Sequence, residues 1–116
     1  MAPVPYDVAL AERIRELVAK ESGLSEKKMF GGLAFLSGGN MAIAASGQGG
    51  ILVRVDPADS DKLVRTSRAT VAVMQGRKMP GWLRVKSEDV RTTPQLRKWV
   101  TLGTTFARSL PTKKKK

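Results

Sequence analysis

The sequence predicts an α+β fold, in which helices pack against a largely antiparallel sheet of five short strands in the order α-β-β-β-α-β-β-α. Short apolar runs separated by glycine-rich turns predict the strands. Two longer segments carry apolar residues at helical spacing and predict the first and last helices. With 116 residues, of which 41% are hydrophobic, the chain suits one compact domain, which we place at residues 7–110.

The first helix is predicted over about residues 7–22. Asp7 stands where an N-cap residue is expected, and Leu10, Ile14 and Leu17 recur at the spacing of one helical face before Gly23 ends the pattern. Residues 1–6 precede the cap and are predicted to be flexible.

Three successive strands are predicted between Lys27 and Asp56. The apolar runs in this stretch are separated by the clusters 37–40 and 46–50, whose glycines supply the positive φ angles that tight reversals require. This arrangement predicts a three-stranded meander.

A short helix and two further strands are predicted next. Asp56-Pro57 predicts a helix over about residues 57–67, because the carboxylate caps the first amides and proline presets φ. The strands are predicted at 71–74 and 82–85, and the glycines and proline between them predict a loop over 75–81.

The last helix is predicted to begin at Thr93-Pro94 and to end before Pro111. Its apolar stripe comprises Leu96, Trp99, Val100, Phe106, Ala107 and Leu110. Gly103 lies on the same stripe, where it costs about 1 kcal/mol relative to alanine. We expect either a close approach of the helix to the sheet at this point or a mild kink.

The residue composition excludes several kinds of chemistry. The sequence contains no cysteine and no histidine, so disulfides, thiolate metal sites and a histidine general base are all excluded. No apolar run approaches the roughly 20 residues of a membrane-spanning helix, and the N-terminus lacks the pattern of a signal peptide. We therefore expect a cytoplasmic protein with no catalytic residue, no cofactor, no metal and no membrane partner.

The charge is strongly basic, with 21 Lys and Arg against 10 Asp and Glu and a net charge of +11. Four of the cations form the run Lys113–Lys116 within a terminal segment, 111–116, that is predicted to be disordered, which leaves +11 − 4 = +7 on the folded body. Such an excess either favours anionic partners, nucleic acid among them, or serves only to keep a small domain soluble.

One candidate contact for nucleic acid lies in and near the last predicted strand. Trp82 shares a strand face with two cations, so the indole would stack on a base while the cations hold phosphate. The candidate residues are Arg77, Lys78, Trp82, Arg84, Lys86 and the tail residues Lys113, Lys114, Lys115 and Lys116. The alternative is a tryptophan packed beneath the stems of the basic side chains.

The same strand alternation predicts an apolar second sheet face. Leu36, Leu52, Met74 and Trp82 would lie on it, away from Phe35, Val53 and Leu83. Because a solvated sheet face should be more polar, something should cover these residues. Either the last helix packs there or a second copy of the chain does, which would make a homodimer.

Three other motifs have a structural explanation beside a functional one. The backbone amides of Met29–Gly32 would form an anion-binding nest, or its glycines would only shape the start of a strand. The glycine-rich turn 47–50 lacks the third glycine and the following helix of a dinucleotide-binding fingerprint. Asp56, Asp59 and Asp61 would suggest a cation loop, but the adjacent proline favours a helix start.

Several of these segments resemble the N-terminal domain of the TfoX/Sxy competence regulators. The resemblance lies in Met29-Phe30-Gly31-Gly32, Gly39-Asn40-Met41, Val55-Asp56, Gly81-Trp82-Leu83-Arg84-Val85 and Leu96-Arg97-Lys98-Trp99-Val100. It covers roughly Tyr6 to Leu110 and implies an α+β fold similar to secretion chaperones. Because such folds are often dimers, the resemblance favours the homodimer over a covering helix.

The resemblance also implies a function. It implies a non-enzymatic regulatory protein with an auxiliary role in transcription, whose protein partner is an activator of the cyclic-AMP-receptor type. A stand-alone protein-interaction or chaperone-like module without a DNA role is the alternative, and an enzyme is the third choice.

Overall fold

The computed structural model describes residues 6–19, 23–29 and 31–111, and it confirms the α+β fold. The helices are α1 (Val8–Leu17), α2 (Ser60–Thr66) and α3 (Thr93–Ser109). The strands are β1 (Leu24–Met29), β2 (Gly32–Ser37), β3 (Asn40–Ala45), β4 (Ile51–Arg54), β5 (Thr70–Met74) and β6 (Arg77–Val85). Two 3-10 turns, Pro57–Asp59 and Ser87–Val90, precede α2 and α3.

The sheet has six described strands, so the predicted number of five was wrong. Their order is β1-β2-β3-β4-β6-β5, and every pair is antiparallel. The missed strand is β1, which pairs with β2 from Leu24 opposite Ser37 to Met29 opposite Gly32. Its sequence, Leu-Ser-Glu-Lys-Lys-Met, lacks the apolar alternation of a strand because its residues are exposed or half-buried at the sheet edge.

Strand β6 begins at Arg77, so most of the loop predicted over 75–81 is also wrong. The chain reverses at Gln75 and Gly76, which have φ angles of 51° and 77°. Val71 pairs with Leu83, whereas Ala72 pairs with Met79, so residues 80–82 have no partner on β5. Pro80 and Gly81 therefore belong to an irregularity within a strand.

The main core lies between the helices and one face of the sheet. Leu10 and Ile14 of α1 and Leu96 and Trp99 of α3 join one buried cluster with the side chains of Phe35, Ile43, Val53 and Leu83. The predicted start of α3 is confirmed, whereas α1 ends at Leu17, before the predicted end at residue 22. The rest of that predicted end, residues 20–22, lies outside the described residues.

Gly103 marks the closest approach of α3 to the sheet. A Cβ atom at this position would lie 2.4 Å from the carbonyl oxygen of Ala42 on β3 and 3.3 Å from Cγ1 of Val53 on β4. The prediction of a close approach is therefore confirmed.

The opposite face carries a second, smaller apolar cluster of buried residues, Ala34, Met41, Ala44, Leu52 and Ala72. No residue of a described helix belongs to this cluster, and we call this side of the sheet the open face. The alternative that α3 covers it was wrong, because α3 packs on the main core. Three of the five members are alanines, and the partly buried Met29, Leu36 and Trp82 pack against the cluster.

Candidate functional site

The open face contains a cavity of about 240 Å³. Its apolar lining includes Met41, Ala44 and Leu52, together with Met29 of β1 and Val73 of β5. Because β1 and β5 are the two edge strands of the sheet, the sheet must curl for both to line one cavity. Sequence patterns did not reveal this cavity, since β1 itself was missed.

The polar lining of the cavity consists of Ser46, Gln48, Gln75 and Arg84, and none of the described lining residues is acidic. Arg84 is placed by β6, where it lies opposite Leu52 of β4. Its Nη1 donates a hydrogen bond of 3.0 Å to Oγ of Ser46. Within the described parts of the chain, no carboxylate lies within 4.0 Å of the Arg84 guanidinium.

Ser46 begins the turn between β3 and β4, and its side chain organises that turn. Its Oγ accepts a second hydrogen bond, 3.1 Å long, from the backbone amide of Gln48. The residue is only 8% exposed. A serine hydroxyl has two acceptor positions and one proton, so both acceptor positions are filled here.

Close backbone packing explains the glycines beside this turn. A Cβ atom at Gly32 would lie 2.2 Å from the carbonyl oxygen of Ala45, and one at Gly47 would lie 2.7 Å from the carbonyl oxygen of Gly31. The structural interpretation of Met29–Gly32 therefore accounts for its glycines. Phe30 lies outside the described residues.

Trp82, the predicted stacking residue, is half-buried and packs against the open-face cluster. The guanidinium carbon of Arg54, which lies opposite it on β4, is 5.1 Å from the Trp82 ring centroid and 5.6 Å from that of Phe106. This agrees with the alternative of a tryptophan packed under a basic side chain. The covering residue is Arg54, which the sequence did not single out.

The predicted basic residues occupy different environments. Arg84 lines the cavity, whereas Lys86 is exposed beyond the end of β6 and Arg77 and Lys78 are exposed at its start. Arg77 lies two residues from the cavity residue Gln75, so their Cα atoms are at most about 7.6 Å apart.

The remaining predicted residues are placed as follows. Leu36 is half-buried at the margin of the open-face cluster, Leu52 is 5% exposed within it, and Met74 lies opposite Arg77 at the end of β5. Lys113 to Lys116 lie outside the described residues. The described chain ends at Pro111, whose carbonyl oxygen accepts a 2.9 Å hydrogen bond from Nδ2 of Asn40.

The acidic residues near Asp56 form a helix start. Asp56 Oδ1 accepts a 2.9 Å hydrogen bond from the amide of Ala58, and Pro57 opens the 3-10 turn. In the described ranges, no group of three or more acidic side chains is arranged to hold a metal ion. No described helix is long and apolar enough to cross a membrane.

These features define an α+β domain with helices on one face of an antiparallel sheet and a cavity on the other. The chain belongs to the TfoX N-terminal domain family, whose model it matches over residues 16–107. No curated protein and no solved structure matched the chain.

Proposed function

We propose that this chain is a non-catalytic regulatory domain that acts by binding a partner protein in the cytoplasm. Membership of the TfoX N-terminal domain family supports a regulatory role. The lack of histidine and cysteine supports a non-catalytic one, because these residues supply the commonest general base and the thiolate nucleophile. By the resemblance described above, the partner is a transcription activator.

The observation that carries this proposal is the free edge of β5. Strand β5 ends the sheet order, so its outer edge pairs with no described strand. Its sequence, Thr70–Met74, contains no charge and no proline, the two devices that usually protect an exposed edge. Val73 on this strand is 53% exposed. An extended segment of a partner would add to this edge through main-chain hydrogen bonds.

The experiment uses two large hydrophobic residues that are exposed in the described part of the chain. Val73→Lys places a charge on the β5 edge, and Val8→Lys places the same charge on α1, where Val8 is 48% exposed. The tag is placed at the N-terminus so that the lysine tail stays unaltered. We expect the unmodified chain and Val8→Lys to enrich the same activator protein from the native cell, and Val73→Lys to lose it. Equal enrichment by all three, or none by any, would contradict the proposal.

A homodimer is part of the same proposal. Leu36 and Trp82 are half-buried apolar residues at the margin of the open-face cluster, where a second copy would cover them. Leu52 adds little to such an interface, because it is already 5% exposed in the single chain.

Nucleic-acid binding is the second candidate function. Arg77 and Lys78 are exposed and form none of the described ion pairs, so their charges are available to phosphates. Binding of this kind would be electrostatic and largely independent of base sequence.

Salt dependence tests this second candidate. Fluorescence-anisotropy titrations would measure the binding constant K for duplex and single-stranded oligonucleotides from about 50 to 200 mM salt. Each lost phosphate contact should flatten the slope of log K against log salt by about 0.9. We expect Arg77→Gln/Lys78→Gln to flatten it by about 1.8, and deletion of the lysine tail to flatten it further. The exposed pair Lys62→Gln/Arg65→Gln on α2 is the control. Absence of binding at the lowest salt would remove this function.

A further inference from the structure

The cavity on the open face combines an apolar floor with hydrogen-bond donors on its wall. Met41 and Leu52 belong to the buried open-face cluster, while Arg84 and Ser46 join them in lining the cavity. Ligand sites in proteins likewise combine apolar lining with polar groups that fix the orientation of the ligand.

Two of the polar side chains on the wall, those of Ser46 and Arg84, are arranged to donate. Both acceptor positions of the Ser46 hydroxyl are filled, by the amide of Gln48 and by Nη1 of Arg84, and its proton has no acceptor among the described residues. Arg84 carries four further N–H groups and has no described carboxylate partner. A group bound to these two side chains would therefore have to accept hydrogen bonds.

The charge around the cavity has one sign. No described lining residue is acidic, and Arg84 contributes a full positive charge to the wall. Arg77 is exposed close to the lining residue Gln75. This cation and Arg84 would attract an anion to the cavity.

We propose that this cavity binds a small amphipathic carboxylate. The carboxylate accepts hydrogen bonds from the Arg84 guanidinium and the Ser46 hydroxyl, since arginine matches the planar geometry of this group. The alkyl part lies against Met29, Met41 and Leu52. Because one arginine lines the cavity, a monoanion suits it better than a doubly charged phosphate ester.

The cavity volume limits the size of the ligand. A volume of 240 Å³ lies just below the range of about 300 to 1,000 Å³ found for drug-sized ligands. It corresponds to about eight water molecules at about 30 Å³ each, which leaves room for an alkanoate of six to eight carbons, roughly. This inference goes beyond the proposed function and does not depend on it, because the ligand is tested with the purified chain alone.

The test titrates hexanoate and octanoate into the isotope-labelled chain and follows its NMR spectrum. We expect saturable shifts for the amides of Ala45, Ser46 and Gln48, for the Leu52 methyls and for the Arg84 Nε–H signal. A ligand of about ten non-hydrogen atoms should bind with a dissociation constant on the order of 1 mM. Hexan-1-ol, which lacks the charge, should bind at least about tenfold more weakly.

Matched variants separate the site from general charge. Arg84→Gln should weaken octanoate binding by about 10- to 100-fold, because a charge-assisted hydrogen-bond pair is lost. Arg97→Gln removes an equal charge from the exposed surface of α3 and should leave binding unchanged. Arg84→Lys keeps the charge but loses the planar geometry, and it should give an intermediate affinity.

The proposal would be overturned by no saturable shift at the cavity residues with either alkanoate, by equal binding of hexanoate and hexan-1-ol, or by equal losses in Arg84→Gln and Arg97→Gln. The comparison of ligands on the unmodified chain stands even if Arg84→Gln folds poorly. Inorganic phosphate is the probe for a simple anion site, and binding as tight as that of octanoate would contradict a role for the apolar floor.

Discussion

Arg15 joins the first helix to the first strand. Its Nε and Nη2 atoms donate hydrogen bonds of 2.6 and 2.8 Å to the two carboxylate oxygens of Glu26 on β1, and Nη1 also pairs with Glu12. The hydrogen bonds from Arg15 lower the pKa of Glu26 from its ordinary value near 4.5. In turn, the hydrogen bonds to Glu26, and to a smaller extent the one to Glu12, raise the pKa of Arg15. This pair links the edge strand to α1.

Glu26→Gln should make the stability of the chain less dependent on acid pH. Because the pKa of Glu26 is lowered in the folded state, its stabilising contribution is present above the ordinary value near 4.5 and is lost as the pH falls through the folded value. Thermal melts should therefore show the variant below the unmodified chain at neutral pH, by a small margin because the pair is exposed. The two curves should converge in acid, whereas Glu16→Gln, at a residue without a described ion pair, should show no such convergence.

Gly103→Ala should destabilise the chain. The added Cβ would meet the Ala42 carbonyl oxygen at 2.4 Å, and a clash with backbone in a packed core costs about 1 to 3 kcal/mol. This loss should exceed the roughly 1 kcal/mol that alanine contributes to helix propensity. Urea denaturation measures the difference, and Thr101→Ala on the exposed side of α3 serves as the control, with a gain below about 1 kcal/mol. A variant as stable as the unmodified chain would show that α3 can move away from the sheet.

Among the elements, α3 has the most complete sequence signal. Thr92 Oγ1 accepts from the amide of Gln95, and Gln95 Oε1 accepts from the amide of Thr92, which makes a reciprocal capping box. Pro94 in the first turn needs no amide partner. The start of this helix is therefore determined locally, which is why the sequence predicts it correctly.

Thr92→Ala should lower the free energy of unfolding by about 1 kcal/mol, because one amide at the start of α3 loses its acceptor. Thr93→Ala, one residue further and exposed, should change it by less than about 0.5 kcal/mol. Chemical denaturation of both variants gives the comparison. Equal effects of the two substitutions would mean that the cap contributes nothing beyond helix propensity.

Strand β1, in contrast to α3, has no local sequence pattern that predicts it. Residues 25–28 read Ser-Glu-Lys-Lys, are exposed, and carry no apolar pattern. They form a strand because the backbone groups of β2 are available beside them and because Arg15 holds Glu26. Main-chain hydrogen bonding to a neighbouring strand does not depend on side-chain type, so no local sequence pattern predicts this strand.

At the scale of the whole molecule, the proposed homodimer is tested by mass. Sedimentation equilibrium should give about twice the chain mass of 12.6 kDa, because two copies would bury the half-exposed Leu36 and Trp82. Leu36→Lys should shift the equilibrium to the monomer, whereas Val8→Lys on α1 should not. A single chain mass across micromolar concentrations would exclude the dimer.

The sequence by itself determined the α+β class, the helix starts at Asp7 and Thr93, and the separation of Phe35, Val53 and Leu83 from Leu36, Leu52 and Trp82. These features follow from local capping and from the period of two along a strand. They need no knowledge of distant contacts.

Only the tertiary structure decided the sixth strand, the side on which α3 packs and the curl that forms the cavity. Met29 and Val73 are far apart in the sequence but line one cavity, and Arg84 meets Ser46 across two strand pairings. Sheet twist and backbone pairing set these contacts, and they depend on the summed packing of the chain, not on any short sequence pattern.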